Sequence, residues 1–227
     1  MSSIFHPKLF VIGLLVAVVA IARAENASVD QLIKKLPPPE KVTETDPASR
    51  DPMVKQITDA AKSMNFGSAY AVSRKLASRY PKSAGAQLLH GQFSLVVRRY
   101  SEAADAFHKT ISIEPNFAFA YVGLALSESA QNHVSGAMSD FRQVTRLNPN
   151  ADIGWIGLSA CAEKLGRKGD CLDYARHATA VAPNSFAAWF QLSRAEGISG
   201  NKQAADKALA KANQLRRSAI GQARRRS

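Results

Sequence analysis

The stretch that decides the fold reads NPNADIGWIGLS at residues 148–159. The same order of proline, bulky residue, leucine and small residue occurs in EPNFAFAYVGLA at 114–125 and in APNSFAAWFQLS at 182–193. The three prolines lie 34 residues apart, and Pro81 continues the series at the same interval. Proline ends a helix, because it lacks an N–H donor and its ring clashes with the preceding turn. The fixed interval therefore predicts a repeated helical unit.

Four further series of residues keep this 34-residue interval. They are aromatic residues (Tyr121, Trp155, Trp189), leucines (Leu124, Leu158, Leu192), small residues (Gly91, Ala125, Ser159, Ser193) and an alanine-rich series (Ala69, Ala103, Ala137, Cys171, Ala205). The pattern resembles the tetratricopeptide repeat (TPR) family. The resemblance implies an all-α fold, an α-solenoid of about five helix-turn-helix repeats that forms a right-handed superhelix. The repeats would fall near 50–83, 84–117, 118–151, 152–185 and 186–219.

The side-chain sizes predict how the helices pack. Small residues are expected where two paired helices approach closely, with Ala125 opposite Ala137 and Gly91 opposite Ala103. Large residues are expected between successive repeats, namely Phe107, Phe141, Trp155 and Trp189. The first repeat is expected to have a weak first helix, with Met53, Gln56 and Ile57 as its core residues. The last repeat has no closing proline, so its second helix is expected to run on to about residue 219.

The first 24 residues have the layout of a secretory signal peptide. Lys8 supplies a positive start, residues 9–22 are apolar, and Ala22 and Ala24 give the small residues of a cleavage site. The mature chain would then begin at Glu25, in the periplasm or outside the cell. The alternative is an uncleaved signal that anchors the protein to the membrane.

The remaining chain divides into three parts. Residues 25–49 are predicted to be a flexible tether with a short helix at 28–36, which Pro37 and the two prolines after it end. The repeat domain follows at 50–219, and a basic tail at 220–227. Leu32, Ile33 and Leu36 form an apolar edge on the short helix. This edge is predicted to cap the first repeat or to occupy part of the groove near Leu88 and Phe119, and the alternatives are the membrane or nothing.

The chain carries 30 Lys and Arg against 18 Asp and Glu, a formal net charge of +12. Basic residues crowd its end, at Arg216, Arg217 and 224–226. An exported basic protein would meet anionic lipids, acidic glycans or acidic proteins, which makes nucleic acid an unlikely partner. The alternative is a solvated tail without a partner.

The sequence contains no pattern typical of catalysis or metal binding. HExxH, GxxxxGK[ST] and GxSxG are all absent, and the five histidines lack metal-ligand spacing. His90 takes the place of leucine in the series of Leu124, which favours a core or boundary position. We therefore predict a protein that is not an enzyme and has no cofactor or metal.

Cys161 and Cys171 are the only two cysteines. They lie on either side of the turn within the fourth predicted repeat, in a chain predicted to reach an oxidising compartment. A disulfide between them is one interpretation. Two buried thiols that act as small hydrophobic residues are the other.

The resemblance also implies a partner-binding groove, lined by first-helix residues that face away from the second helix. The matching residues are Leu88, Gln92, Leu95, Phe119, Val122, Leu126, Ile153, Ile156, Ala160, Phe190 and Arg194. This stripe is too apolar to clamp a C-terminal carboxylate, but it suits an amphipathic helix or an extended apolar segment. The alternative is that part of this stripe packs between helices and does not bind a partner.

These observations predict a non-enzymatic interaction scaffold or assembly factor of the bacterial periplasm that binds a protein or peptide segment in the groove. The alternative is a membrane-surface adaptor, held to anionic lipids or glycans by the basic tail.

Overall fold

The computed structural model describes residues 46–224, and within this range the chain forms ten α-helices and no strand. The predicted all-α, TPR-like fold is confirmed. The helices are α1 (Pro52–Lys62), α2 (Phe66–Arg79), α3 (Ala84–Val96), α4 (Tyr100–Ile113), α5 (Ala118–Ala130), α6 (Val134–Leu147), α7 (Asp152–Lys164), α8 (Lys168–Val181), α9 (Phe186–Ile198) and α10 (Lys202–Arg224). The predicted signal peptide at 1–24 and the short helix at 28–36 lie outside the described residues.

The prolines of the series end the helices as predicted. Helices α2, α4, α6 and α8 each stop shortly before one of them, at Arg79, Ile113, Leu147 and Val181. The loop after each proline leads into the first helix of the next repeat. No described helix runs through a proline of the series.

A second break separates the two helices of every repeat. Its central residue has a positive φ in each case: Met64 (58°), Arg98 (62°), Asn132 (65°), Gly166 (70°) and Gly200 (85°). These residues also recur every 34 positions. In the second repeat the next N–H, that of Arg99, donates to the carbonyl of Ser94 at 2.8 Å, the closing bond of a Schellman motif.

The aromatic series and the proline series are joined by hydrogen bonds. The hydroxyl of Tyr121 donates to the carbonyl of Pro115 at 3.0 Å. The indole N–H groups of Trp155 and Trp189 donate to the carbonyls of Pro149 and Pro183, both at 2.8 Å. Gln87 repeats the contact more weakly, from its amide to the carbonyl of Pro81 at 3.4 Å. One interaction thus accounts for two sequence series, since each bulky residue fixes the loop that precedes its helix.

The described helices fall into two compact units, with the boundary after Gln131. Unit 1 contains α1–α5 and unit 2 contains α6–α10. In unit 1 each helix packs on the next, and α3 also contacts α5. In unit 2 the same arrangement holds, and α7 also contacts α9.

Phenylalanines fill the space between successive repeats, as predicted for Phe107 and Phe141. Both are buried. A Cβ added to Gly123 would overlap the ring of Phe107, and one added to Gly157 would overlap the ring of Phe141. Gly91 also lies against Phe107, at 2.9 Å from the position its Cβ would take. Gly91 therefore makes room for this ring, and its predicted contact with Ala103, on the same helix as Phe107, stays a prediction.

The two ends of the repeat region differ from their predictions. Helix α1 buries Val54, Ile57 and Ala61, and Met53 packs against this core, whereas Gln56 is exposed. Helix α10 continues to Arg224, so the predicted tail begins as helix.

The end of the predicted tether is anchored to unit 1. The Asp46 carboxylate accepts hydrogen bonds from the backbone N–H of Gly85 at 2.8 Å and from the hydroxyl of Ser83. Ala48 is buried in the same core as Ile57. Residues 46–49 therefore belong to unit 1, because a carboxylate at the start of α3 satisfies N–H groups that lack helical partners.

Candidate functional site

In unit 1 the predicted groove residues are mostly buried. The side chains enclosed on α3 and α5 are Leu88, Gln92, Leu95 and Val122. Leu88 and Leu95 belong to a core cluster with Phe107 and Phe117, whereas Phe119 and Leu126 are only partly buried against it. This part of the stripe is therefore covered in the structure.

In unit 2 the corresponding residues are accessible. Ile153, Ile156 and Ala160 on α7 are half-buried, and so is Phe190 on α9. These four residues form what we call the unit 2 apolar surface. Helices α7 and α9 pack directly on each other, so these residues lie on two adjacent helices.

Phe190 is held in place by a neighbouring ring. The rings of Phe186 and Phe190 are stacked, with centroids 5.7 Å apart and planes inclined by 24°. Phe186 follows the N-cap Ser185, whose hydroxyl accepts a hydrogen bond from the N–H of Ala188. A capped first turn therefore presents two aromatic side chains with little freedom to move.

A polar network lies beside the apolar surface. Arg194, which is exposed, forms an ion pair with Glu163 at 2.6 Å. The amide of Gln191 donates to the hydroxyl of Ser159 at 3.0 Å and lies 3.4 Å from Glu163. Glu163 and Gln191 were not predicted as site residues, although Ser159 belongs to a sequence series. The network joins α7 to α9 and provides a charged rim for the apolar surface.

Cys161 and Cys171 are buried thiols in the structure, and the disulfide between them stays a prediction. The sulfur of Cys171 lies 3.5 Å from the Oγ of Ser159, which also donates to the carbonyl of Cys171 at 2.8 Å. The thiol of Cys171 is therefore turned towards Ser159. Burial raises its pKa, which makes it a weak nucleophile.

His90 lies at a boundary in unit 1, in line with its place in the leucine series. Its ring is 5.8 Å from the ring of Tyr70, and its Nδ1 is 3.4 Å from the hydroxyl of Ser94. Desolvation lowers the pKa of His90. The hydroxyl of Tyr70 donates to Glu102 at 2.7 Å, and this bond is the main reason that the pKa of Glu102 is lowered. Tyr70 on α2 thus contacts α4 through a hydrogen bond to Glu102 and α3 through the ring of His90.

Residues 46–224 contain no cluster of three or more His, Cys, Asp or Glu side chains that could hold a metal ion. None of the helices in this range is both long and apolar enough to cross a bilayer.

Comparison with known proteins relates the chain to repeat proteins through its fold. No model of a known protein family matches the chain. It is 29% identical over 99 residues to the anaphase-promoting complex subunit cut9 of Schizosaccharomyces pombe. This match covers 44% of the chain but only 15% of the length of cut9.

Solved structures match a larger part of the chain. MamA from Desulfovibrio magneticus superposes with a TM-score of 0.65 at 13% identity, covering 73% of this chain and 94% of MamA. YrrB, described as a TPR protein with an unusual peptide-binding site, gives a TM-score of 0.57 at 18% identity, covering 76% of this chain and 89% of YrrB. At these identities the likeness establishes the TPR-like fold.

Proposed function

We propose that this protein is a non-enzymatic interaction scaffold, or assembly factor, that binds an apolar segment of a partner protein on the unit 2 apolar surface. The observation that carries the proposal is the partial exposure of Ile153, Ile156, Ala160 and Phe190 on two packed helices. Isolated apolar residues on a surface are ordinary, but several on two adjacent helices are typical of an interaction site. The peptide-binding site for which YrrB is described supports the same use of this fold.

The polar rim favours an amphipathic segment over a wholly apolar one. Arg194 and Glu163 together present one positive and one negative group beside the apolar surface. A partner helix with one apolar face would bury that face on the unit 2 apolar surface. Charges at the edge of its apolar face would then lie near the rim. Because the contact is mainly apolar, its affinity should change little with salt concentration.

Binding to a defined probe tests this proposal. We would titrate the full chain into a fluorescently labelled amphipathic model helix of leucine and lysine and measure fluorescence anisotropy. Ile156→Asp and Phe190→Asp should each weaken binding about tenfold or more, since a charge would have to be desolvated on binding. Leu209→Asp is the matched control, because Leu209 is an exposed apolar residue of the same unit outside the surface. Equal affinities for all three variants would contradict the proposal.

The cellular location is part of the proposal. The layout of residues 1–24 supports export to the periplasm of a bacterium. Fusion of this segment to a reporter enzyme that is active only after export provides the test. An inactive fusion, made in normal amounts, would contradict the assignment.

A membrane-surface adaptor is the second candidate, and the extent of α10 favours it. This helix has 23 residues, against 13 in α9 on which it packs. Its second half carries Arg216 and Arg217, and no acidic residue follows Asp206 in the sequence. Binding to vesicles that contain anionic lipid should then disappear above about 0.5 M salt, because the Debye length is only about 3 Å at 1 M. Binding that persists would point instead to the apolar surface.

A further inference from the structure

Equivalent positions of the repeats differ in exposure between the two units. Leu88 of α3 corresponds to Ile156 of α7, and Gln92 corresponds to Ala160, at twice the 34-residue interval. Leu88 and Gln92 are 5% and 4% exposed, whereas Ile156 and Ala160 are half-buried. Residues 84–89 and 91–95 of α3 are all buried, so this helix is enclosed on every side.

The described neighbours account for part of this difference. Leu88 packs with Phe107 and Phe117 in one core cluster, whereas the equivalent residues of unit 2 are Ala175 and Ser185. Helix α3 contacts α2, α4 and α5, and α7 has the same kind of surroundings in α6, α8 and α9. The α3 face, which we define by Leu88 and Gln92, corresponds to the unit 2 apolar surface but is closed.

Gln92 indicates that a further group lies against the α3 face. Its Oε1 is buried and has no hydrogen-bond partner among the described residues. An unpaired buried acceptor costs roughly 1–3 kcal/mol, so the great majority of such atoms are satisfied in native structures. The Oε1 of Gln92 therefore needs a donor that the side chains and backbone of residues 46–224 do not supply.

The point at which the described chain begins identifies the source of the cover. Asp46 is fixed to Ser83 and Gly85, at the N-terminal end of α3. The residues before Asp46 must therefore leave the structure beside this helix. Nine residues, 37–45, connect Asp46 to the segment 28–36. Extended at about 3.1 Å per residue they reach about 28 Å, which exceeds the length of α3, about 20 Å at 1.5 Å per residue.

We propose that residues 28–36 of the same chain cover the α3 face, with Leu32, Ile33 and Leu36 against it. The segment has apolar residues at helical spacing and is too short to be stable as a helix in water by itself. Docking gives it a surface on which to fold. The short connection keeps its local concentration near α3 high, in the millimolar range typical of short linkers.

This arrangement gives the two units different roles. The inner face of unit 1 is occupied by the chain itself, while the unit 2 apolar surface stays open to a partner. The cover over α3 follows from unit 1 alone, whereas this division of roles rests on the proposed function. A partner that displaced residues 28–36 would gain a second, equivalent surface on α3.

The reactivity of an introduced thiol tests the cover. Cys161→Ser and Cys171→Ala first remove the native thiols, and alanine is the usual residue at position 171 of its series. Gln92→Cys then places a thiol on the α3 face, and Ala160→Cys places one at the equivalent position of unit 2. In the full chain we expect the thiol at position 92 to react with an alkylating agent at least about tenfold more slowly than the thiol at position 160.

Substitutions in the covering segment complete the test. Leu32→Asp, Ile33→Asp and Leu36→Asp together should raise the rate at position 92 to that at position 160, with far-UV circular dichroism unchanged. The proposal is overturned if the thiol at position 92 reacts rapidly while residues 28–36 are unsubstituted. It is also overturned if this thiol still reacts slowly after the three substitutions.

Two further outcomes would assign the cover to a different source and so overturn the proposal. Loss of protection on dilution would indicate that a second copy of the chain supplies the cover. The thiol at position 92 could also become reactive when only the apolar run at 9–22 is changed, by Leu14→Asp, Leu15→Asp and Val18→Asp. That result would indicate that this run supplies the cover.

The outcome is independent of the partner-binding test. The thiol rates report only on unit 1, and anisotropy with Ile156→Asp reports only on unit 2. A result that overturns the cover over α3 therefore does not contradict the proposed function. A result that contradicts the proposed function likewise does not overturn the cover.

Discussion

At the scale of single residues, the left-handed position within each repeat is filled by chemically different residues. Gly166 and Gly200 adopt positive φ without a steric cost, whereas Met64, Arg98 and Asn132 have a Cβ that crowds the backbone. A residue with a Cβ loses about 1–2 kcal/mol in this conformation. Part of that cost is offset, because glycine loses more conformational entropy on folding.

Arg98→Gly should therefore raise the free energy of unfolding by about 0.5–1 kcal/mol. The Arg98 side chain is exposed, so its removal sacrifices little packing. Gly166→Ala is the opposite change at the equivalent turn and should lower the free energy of unfolding by about 1 kcal/mol. Urea denaturation of the two variants measures both values. A destabilised Arg98→Gly would show that this turn is not strained.

His90 makes a separate contribution to stability, and this contribution depends on pH. Desolvation, assisted by Arg74, Lys109 and Arg99, lowers the pKa of His90, and Glu102 opposes the shift. The unfolded state, with a pKa near 6.5, then binds more protons than the folded state, so stability falls as the pH drops below about 6.5.

His90→Leu, which introduces the residue found elsewhere in the series, should reduce this loss of stability. Urea denaturation at pH 7.5 and at pH 5.2 measures this loss of stability. Both pH values lie above the range in which Asp51 and Glu102 lose their charge, because the pKa values of these two residues are lowered. An unchanged difference between the two pH values would show that His90 does not couple protonation to folding.

At the scale of helices, successive repeats are fitted together by residues of complementary size. The second helix of one repeat and the first helix of the next contribute Phe107 with Gly123, and Phe141 with Gly157. The equivalent pair at one end is Ser73 with Leu89, and at the other end it is Ala175 with Gln191; all four of these residues are buried. A large residue on one helix is thus matched by a small one on the other, which keeps the packed volume nearly constant.

Gly157→Ala should lower the free energy of unfolding by about 1–3 kcal/mol, because the added Cβ would overlap the Phe141 ring. Adding Phe141→Leu should recover part of this loss, and a double-mutant cycle measures the coupling. Gly169→Ala on α8 is the control, since nothing lies within 4 Å of its added Cβ. Additive effects of Gly157→Ala and Phe141→Leu would contradict the size matching.

The helices themselves were predictable, because proline at a fixed interval acts locally and ends each second helix. The breaks near Pro81, Pro115, Pro149 and Pro183 lie where they were predicted. The role of Gly91 was not predictable, since it depends on the distant ring of Phe107. The left-handed turns were missed for another reason: Met64 and Arg98 do not have the composition expected of that conformation.

The candidate site was predictable only as a stripe of positions. Leu88 and Ile156 are similar apolar residues in equivalent places, yet the structure buries the first and leaves the second half-buried. Periodicity places a residue on a face of its helix, but it does not show what else lies on that face. The rim was missed because Glu163 and Arg194 come from different repeats and meet only in the folded chain.

At the scale of the whole molecule, the repeats are continuous in sequence while the described helices form two compact units. The boundary after Gln131 lies between the two helices of the third predicted repeat. In repeat proteins each element is stabilised by its immediate neighbours, so parts of the array can differ in stability. Unit 1 contains the largest fully buried side chains, including Phe93, Phe107 and Ile57, whereas the largest in unit 2 is Leu158. We therefore expect unit 2 to be the less stable.

The hydrogen bonds from Trp155 and Trp189 to the proline carbonyls have an optical consequence. The chain has two tryptophans, and both lie in unit 2. Their emission should therefore move to longer wavelength when unit 2 opens and water replaces the indole contacts, while unit 1 contributes nothing to the signal. In a urea titration the emission change should come at a lower midpoint than the loss of helical ellipticity, which both units share. Coincident midpoints would mean that the ten helices unfold as one cooperative body. The protein thus carries a native fluorophore pair that reports on the unit proposed to meet its partner.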